Sequence, residues 1–361
     1  MNHRSVPIKG RGAVTNAAGR FERHRAETVD DGWDRADDTA SIANQLATQV
    51  RPEPGRTIIT HNDSPDVPFE QSINPYRGCE HGCVYCYARP THAYLNLSPG
   101  LDFETKLFFK ANAAELLEKE LARPGYRVTP IALGTNTDPY QPIERRLRVT
   151  RSILEVLWRC RHPCTIVTKG TLIERDLDLL APMAQARLVS VMVSVTTLDD
   201  DLKRVMEPRA AAPAARLKTI ERLAGAAVPV GALIAPVIPA INDHEIERLV
   251  EAVAAHGARS AGFVMLRLPL EVKTLFREWL DAHFPLKAEH VMALIRQIRG
   301  GRENDSRFGS RMRGEGEIAA LIGRRFELAA RRAGLDRERQ MDLDRDAFQA
   351  PRPPTPQLAL F

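Results

Sequence analysis

The chain has 361 residues, of which 43% are hydrophobic and 27% charged, and its formal net charge is +5. This length suits one α/β barrel with extensions or two modest domains, and the composition is ordinary for a soluble globular protein. No run of eighteen apolar residues occurs, and residues 1–50 contain no apolar stretch of signal-peptide length. A membrane span is therefore excluded and a cytoplasmic location is expected.

The first part of the chain predicts an extension followed by a barrel. Residues 1–65 show no sustained periodicity and predict a partly ordered N-terminal extension. Residues 66–270 alternate short apolar runs with helical stretches, as expected of βαβ units and a parallel sheet. The runs rich in Val and Ile lie at 131–134, 165–168, 189–195, 228–238 and 261–268.

With a further strand before Cys79, the count is six strand–helix units. The sequence therefore predicts an α/β fold, a partial (β/α)6 TIM-like barrel, and a doubly wound sheet is the alternative. Helices are expected at 145–159, 174–186 and 243–255, the last with Asn242 as its N-cap.

The C-terminal third predicts helices followed by a tail. Residues 271–340 form a helical, Arg-rich region, and its segment 288–340 holds twelve arginines against eight acidic residues. This excess is either a phosphate-facing surface or a solvated helix face balanced by glutamates. Its members are Arg311, Arg313, Arg324, Arg325, Arg331 and Arg332. Residues 341–361 form a Pro-rich tail that is expected to be an extended tether.

Three cysteines within eight residues predict a metal centre. Cys79, Cys83 and Cys86 have the spacing C-x3-C-x2-C. Three thiolates on one loop can bind three corners of a [4Fe–4S] cubane and leave one iron open to a substrate-like ligand. Zinc is the alternative, with His81 or His92 as the fourth ligand. Cys160 and Cys164 are interpreted as buried or idle thiols.

The cysteine motif carries a family resemblance. Together with Tyr85 it resembles the C-x3-C-x-aromatic-C motif of the radical S-adenosylmethionine (SAM) superfamily. Residues 74–79 and 87–92 resemble the DNA repair photolyase subfamily, relatives of spore photoproduct lyase. The resemblance implies a barrel of the radical SAM type, a [4Fe–4S] cluster and SAM as cofactors, and reductive cleavage of SAM to a 5′-deoxyadenosyl radical. It also implies a low-potential electron donor such as flavodoxin or ferredoxin.

The same resemblance implies where SAM binds. Tyr85 lies at the cofactor, Lys169 reaches the SAM carboxylate, Ser194 contacts the ribose, and Ile238 and Asn242 form the wall at the adenine. The loop that meets the methionyl amine contains Gly134, Thr135, Asn136, Thr137 and Asp138. A capped β–α turn and plain solvated or capping roles remain as alternatives.

One departure from the relatives concerns hydrogen return. Spore photoproduct lyase uses a cysteine beyond its cluster motif, whereas this chain has no cysteine between Cys86 and Cys160. Tyr87, Tyr140 or the substrate itself would then return the hydrogen, and thymine-dimer reversal in its spore form is not expected.

The C-terminal peptide resembles a second known motif. It matches the Gln-Leu-x-Leu-Phe peptide by which bacterial repair proteins bind the β sliding clamp, with the alternative of an apolar plug on its own domain. The matching residues are Gln357, Leu358, Leu360 and Phe361. The favoured function is a radical SAM enzyme acting on damaged DNA. The alternatives are a radical SAM enzyme for RNA, peptide or a small molecule, and a zinc-stabilised nucleic-acid-binding module.

Overall fold

The computed structural model describes residues 7–22, 47–335 and 342–351. Its strands, in chain order, are β1 (Gln49–Pro52), β2 (Thr60–His61), β3 (Gln71–Ile73), β4 (Tyr76–Arg77), β5 (Lys106–Phe109), β6 (Ile131–Leu133), β7 (Cys164–Thr168), β8 (Val189–Ser194), β9 (Val230–Val237) and β10 (Ala261–Met265). The C-terminal peptide 357–361 lies outside the described residues.

The main sheet has the strand order β10-β9-β8-β7-β6-β3-β2. Six of these strands, β3 and β6 to β10, run parallel to their neighbours, and β2 joins β3 in the antiparallel direction. The six parallel strands confirm the predicted α/β partial barrel. A smaller sheet, β1-β5-β4, lies beside it.

Helices follow most of the parallel strands. They are α1 (Asp102–Thr105), α2 (Ala113–Leu121), α3 (Glu144–Leu147), α4 (Val149–Arg159), α5 (Leu177–Gln185), α6 (Asp200–Met206), α7 (Pro213–Gly225), α8 (Ile246–Ala255), α9 (Val272–His283), α10 (Ala288–Gln297), α11 (Ser310–Arg313) and α12 (Gly316–Arg332). Three 3-10 helices span Arg89–Leu95, Thr171–Asp176 and Asp243–Glu245.

The helix predicted over 145–159 is two helices, because Arg148 adopts a left-handed conformation with φ of 55°. The buried carboxylate of Glu144 then accepts hydrogen bonds from the backbone N–H of Thr150 at 2.9 Å and of Arg151 at 3.3 Å. It thereby satisfies donors at the start of α4 that no helical carbonyl can reach. Asn242 stands at the predicted N-cap position, before the 3-10 helix Asp243–Glu245, but its side chain makes no capping hydrogen bond.

The C-terminal helices pack directly on the barrel. The ring of Phe326 on α12 lies 4.7 Å from that of Phe263 on β10. On α9, Trp279 is fully buried and donates its indole N–H to the carbonyl of Val205 at 2.9 Å. No helix in the described ranges is long and apolar enough to cross a bilayer.

Part of the N-terminal extension is also built into the fold. Ala13 is 1% exposed and Val14 is 6% exposed, and Thr15 donates to Glu278 on α9 at 2.6 Å. We call residues 7–22 the N-terminal segment. It lies against the loop that carries the three cysteines.

Candidate functional site

The cysteine loop leaves β4 and is turned by two glycines with positive φ. Gly78 has φ of 75° and Gly82 has φ of 67°. A Cβ on Gly82 would lie 2.8 Å from a carboxylate oxygen of Glu104, and a Cβ on Gly78 would lie 2.5 Å from Leu107. Both positions therefore need glycine for conformation and for space.

The three cysteine thiols lie close enough to act on one another electrostatically, and two of them are buried while Cys86 is half-buried. Cys79 is 7% exposed and Cys83 is 8% exposed. Burial raises the pKa of all three thiols, and the other two thiols raise that of Cys79 further. Three close, desolvated thiols can ionise together only where a positively charged core balances them. The donor set therefore fits three corners of an iron–sulfur cubane.

Each of the two histidines considered as a fourth zinc ligand is held through one ring nitrogen by another part of the protein. His81 pairs with Asp138, with 3.3 Å between Nδ1 and Oδ2, and Nε2 of His92 donates to the carbonyl of Lys106 at 2.9 Å. Within the described residues, no three His, Cys, Asp or Glu side chains form a group suited to one metal ion. The ligands of a cubane stand farther apart, because the cluster is bulkier than one ion.

A buried arginine holds the back of the cysteine loop. Arg89 donates to the carbonyls of Cys83 at 2.9 Å and Gly82 at 3.2 Å, and it pairs with Glu104. The other acceptor sites of Glu104 receive the backbone N–H of Gly12 at 3.0 Å and of Ala13 at 2.8 Å. The N-terminal segment, Glu104 and the cysteine loop thus form one hydrogen-bonded unit. No local pattern in the sequence indicates this unit, because its members are far apart along the chain.

A second buried network lies beside Tyr85. The carboxylate of Glu207 accepts hydrogen bonds from Tyr85 and from Thr196, the latter at 2.7 Å, and pairs with the buried Arg216. Burial alone would raise the pKa of Glu207, but the charges of Arg216 and Lys169 lower it to about 2. Glu207 and Arg216 thus form a buried ion pair.

Lys169 lies at the carboxyl end of β7 with its ammonium turned toward this network. Its Nζ is 3.8 Å from Glu207 and 6.0 Å from the centre of the Tyr85 ring. The side chain is 15% exposed. The structure therefore brings Lys169 and Tyr85 together beside the cysteine loop, with one cation that still reaches solvent.

The loop after β6 is ordered by contacts within the protein. Gly134 has φ of 86°, and a Cβ there would lie 2.1 Å from the carbonyl oxygen of Val167. The side-chain oxygen of Asn74 accepts the N–H of Asn136 at 2.9 Å and of Thr137 at 3.4 Å. Thr135 and Asn136 stay partly exposed, whereas Thr137 is buried.

Asp138 links the cysteine loop to the end of β7. Besides His81, its carboxylate accepts the hydroxyl of Thr168 and the N–H of Lys169, both at 2.7 Å. Burial would raise the pKa of Asp138, but His81 and these hydrogen bonds lower it to about 2. Its side chain is occupied by protein groups, so Asp138 would act on a ligand through the shape of the loop.

The remaining predicted SAM contacts lie at the ends of β8 and β9. Ser194 is 2% exposed, and Ile238 is fully buried in the same apolar cluster as Cys83 and Tyr85. The side chain of Asn242 accepts from the N–H of Ile238 at 2.7 Å and donates to the carbonyl of Thr196 at 2.8 Å. Asn242 therefore braces this loop from within.

The two tyrosine candidates for hydrogen transfer have different surroundings. Tyr87 directly follows Cys86, is 47% exposed, and donates its hydroxyl to the carbonyl of Thr135. Tyr140 is 2% exposed, and burial together with the carboxylates of Asp176 and Glu144 raises the pKa of its hydroxyl. Only Tyr87 combines an exposed position with a place next to the cysteines.

The Arg-rich C-terminal region is partly neutralised. Arg325 pairs with Glu247 at 2.7 Å and Arg311 pairs with Asp66.

Cys160 and Cys164 are buried in the main core of the barrel.

Comparison with known proteins agrees with this geometry. A family model described as the radical SAM superfamily matches residues 73–253. An uncharacterized protein of Mycobacterium tuberculosis is 40% identical over 233 residues, which cover 64% of this chain and 68% of that protein. One from Methanocaldococcus jannaschii is 26% identical over 220 residues, 61% of this chain and 78% of its own length.

Among solved structures, spore photoproduct lyase complexed with dinucleoside spore photoproduct superposes with a TM-score of 0.55 at 16% identity. The match covers 78% of this chain and 79% of that one, and at this identity it supports the fold. The family match spans half of the chain and contains the three cysteines and strands β6 to β9. The chain belongs to the radical SAM superfamily.

Proposed function

We propose that this radical SAM enzyme acts on damaged DNA in the cytoplasm, with residues 66–270 as its catalytic core. The cofactors of the family are a [4Fe–4S] cluster and SAM. When bound, they supply a 5′-deoxyadenosyl radical that removes a hydrogen atom from the substrate. The observation that carries the cluster assignment is the group of three close cysteine thiols on one loop, two of them buried.

In this proposal each group around the pocket has a task. Cys79, Cys83 and Cys86 hold the cluster at three irons. Lys169 is the only described cation placed both at the end of β7 and beside Tyr85, so it suits the SAM carboxylate. The braced loops after β6 and β9 shape the rest of the SAM site and exclude water.

Three observations favour DNA as the substrate. The superposed spore photoproduct lyase was solved with a dinucleoside photoproduct. The C-terminal region has an excess of arginine. Residues 357–361 match a peptide for the β sliding clamp, which would deliver the enzyme to replicated DNA. RNA, a peptide or a small molecule is the alternative substrate, and a low-potential flavodoxin or ferredoxin is the proposed electron donor.

The cluster assignment is tested on the anaerobically purified full-length protein. We expect about equal iron and sulfide, and 5′-deoxyadenosine after addition of reductant and SAM. Cys83→Ala should abolish both the intact cluster and 5′-deoxyadenosine formation. Cys160→Ala is the matched control, because that thiol is also buried but lies in the barrel core. Retained 5′-deoxyadenosine formation in Cys83→Ala would contradict the assignment.

The substrate assignment is tested with deuterated oligonucleotides that carry defined lesions. Deuterium transfer from the damaged strand into 5′-deoxyadenosine is expected, and an undamaged strand serves as control. Transfer from an RNA, peptide or small-molecule substrate alone would favour the alternative. Deletion of residues 357–361 should abolish binding to the sliding clamp, and unchanged binding would remove that part of the proposal.

For hydrogen return, Tyr87→Phe should lower the yield of repaired product per 5′-deoxyadenosine formed. Tyr94→Phe is the control, because Tyr94 is 68% exposed and does not adjoin the cysteines. Equal product ratios in the two variants would exclude Tyr87.

A further inference from the structure

Two arginines and two aromatic rings form a continuous surface at the mouth of the barrel. The guanidinium carbon of Arg267 lies 5.4 Å from the centre of the Tyr87 ring, and that of Arg311 lies 4.6 Å from the centre of the Phe308 ring. A side-chain nitrogen of Arg267 is 3.7 Å from the sulfur of Met312, next to Arg311. We call Tyr87, Arg267, Arg311 and Phe308 the Arg–aromatic surface.

This surface begins at the reactive centre and extends outward. Tyr87 follows Cys86, and Arg267 follows the carboxyl end of β10, the edge at which ligands bind to parallel sheets. Phe308 is 60% exposed. The surface therefore joins the cysteine loop to the loop that precedes α11.

Asp66, which pairs with Arg311, also attracts Arg267 electrostatically. In the part of the chain that the structure describes, no carboxylate lies within ion-pair distance of Arg267. Within the described ranges, its only hydrogen-bond contact is the weak one to Met312, and its Nε is buried without an acceptor. Burial and the charge of Arg311 both lower the pKa of Arg267. An arginine held half-buried beside a second arginine is relieved of this repulsion when an anion binds between them.

The neighbouring groups hold the surface in place. The side chain of Asp66 binds Arg311 and the N–H of Gly309, the latter at 2.7 Å. The buried Arg299 donates to the carbonyl of Arg311 at 2.9 Å and to that of Leu266 at the end of β10. The rings and guanidinium groups are therefore positioned before any ligand arrives.

We propose that the Arg–aromatic surface binds a single-stranded segment of DNA, with a phosphate on Arg267 and bases against Tyr87 and Phe308. Alternating cations and exposed aromatic rings bind the backbone and the bases of a single strand without sequence preference. A strand on this surface would pass from the loop before α11 to the residue beside Cys86. The inference rests on the proposed function and names the surface that presents its substrate.

The test measures binding of a fluorescein-labelled oligothymidylate to the full-length holoprotein, by anisotropy over a range of salt concentrations. Arg267→Gln should weaken binding about tenfold, as expected for a lost charge-assisted contact. It should also reduce the slope of log affinity against log salt by about 0.7, the value for one phosphate on a single strand.

Arg259→Gln is the matched control. Arg259 is exposed just before the amino end of the same strand, β10. Its replacement by glutamine therefore removes an equal charge at the opposite edge of the sheet. Both the affinity and the salt slope should stay as in the parent protein.

Phe308→Ala separates stacking from charge and replaces a surface ring that the core does not need. It should weaken binding about fivefold or more while the salt slope is unchanged, because stacking involves no counterion release.

Two results would overturn the inference alone: equal affinities of Arg267→Gln and Arg259→Gln, or tighter binding of the corresponding ribo-oligonucleotide. If the parent protein binds no oligodeoxynucleotide, the proposed action on DNA fails as well.

Discussion

A guanidinium nitrogen of Arg89 lies 2.5 Å from a carboxylate oxygen of Glu104, and neither side chain is exposed to solvent. Arg89 also binds carbonyls of the cysteine loop, and Glu104 also binds the N–H groups of Gly12 and Ala13. This one ion pair therefore holds the cysteine loop to Gly12 and Ala13, which precede Glu104 by 92 and 91 residues in the sequence.

Arg89→Met should destabilise the protein severely. It leaves the Glu104 carboxylate buried without its cation, and breaking a buried pair in this way costs about 3–5 kcal/mol. Denaturant unfolding under anaerobic conditions measures the loss. The exposed pair of Arg204 and Asp201 supplies the control, since Arg204→Met should cost at most about 1 kcal/mol. Equal losses of unfolding free energy in the two variants would mean that the buried pair stabilises the protein no more than the exposed pair does.

Gly12→Ala should detach the N-terminal segment from the cysteine loop. A Cβ on Gly12 would lie 1.7 Å from the carbonyl oxygen of Gly82, so the backbones must separate. We expect faster loss of iron in air, followed by absorbance, and faster proteolysis of the segment. Gly225→Ala is the control, because a Cβ there meets open space. Iron loss at the control's rate would contradict the close packing.

Lys169→Gln should weaken SAM binding about tenfold or more, because a charge-assisted hydrogen bond to the carboxylate is lost. Equilibrium dialysis of the anaerobic holoprotein against labelled SAM measures this change. Lys218 is exposed on α7, and Lys218→Gln should bind SAM as the parent does. If both variants retain the parent affinity for SAM, Lys169 does not bind the SAM carboxylate.

Stability should fall as the pH falls from about 6.5 to 4, in part because of His162. This ring is buried against Phe348, its Nδ1 donates to the carbonyl of Pro163 at 2.9 Å, and its Nε2 lies 2.9 Å from the hydroxyl of Tyr126. Burial lowers the pKa of His162 to about 4. In this pH range the unfolded chain binds a proton that the folded chain does not, so the free energy of unfolding decreases with acid.

The difference between the unfolded and folded pKa of His162 corresponds to about 3 kcal/mol of unfolding free energy, at 1.36 kcal/mol per pKa unit. His162→Gln should remove that part of the pH dependence in denaturant unfolding between pH 7 and 4. His290 is exposed, and His290→Gln should keep the parent's slope. A parent-like slope in His162→Gln would show that another group is responsible; burial also lowers the pKa of His92 and His283.

The barrel was predictable because its signals are local. Short runs rich in Val and Ile, such as the one in β8, indicate buried parallel strands wherever they occur. The cysteine spacing was equally informative, since three thiols on one loop restrict the chemistry without any knowledge of the fold. Lys169 and Ser194 were predicted as SAM contacts from the family resemblance, and both lie at the carboxyl ends of strands.

Other features depend on contacts that are distant in sequence. Nothing near Gly12 shows that Glu104 will bind it, so the extension seemed only partly ordered. Asp138 and Asn242 are polar loop residues at the correct edge of the sheet, but their side chains bind other parts of the protein. A polar residue at a strand end can serve a ligand or the loop itself, and the sequence does not separate the two. The break at Arg148 depends in the same way on the buried carboxylate of Glu144.

The position of the N-terminal segment bears on the order in which the protein matures. Residues 7–22 leave the ribosome before the groups that receive them, since the carboxylate belongs to residue 104 and their apolar neighbours include Leu275 on α9. Docking must therefore wait until most of the barrel has been synthesised. Until then the N-terminal segment cannot cover the cysteine loop on the side where Gly12 packs against Gly82.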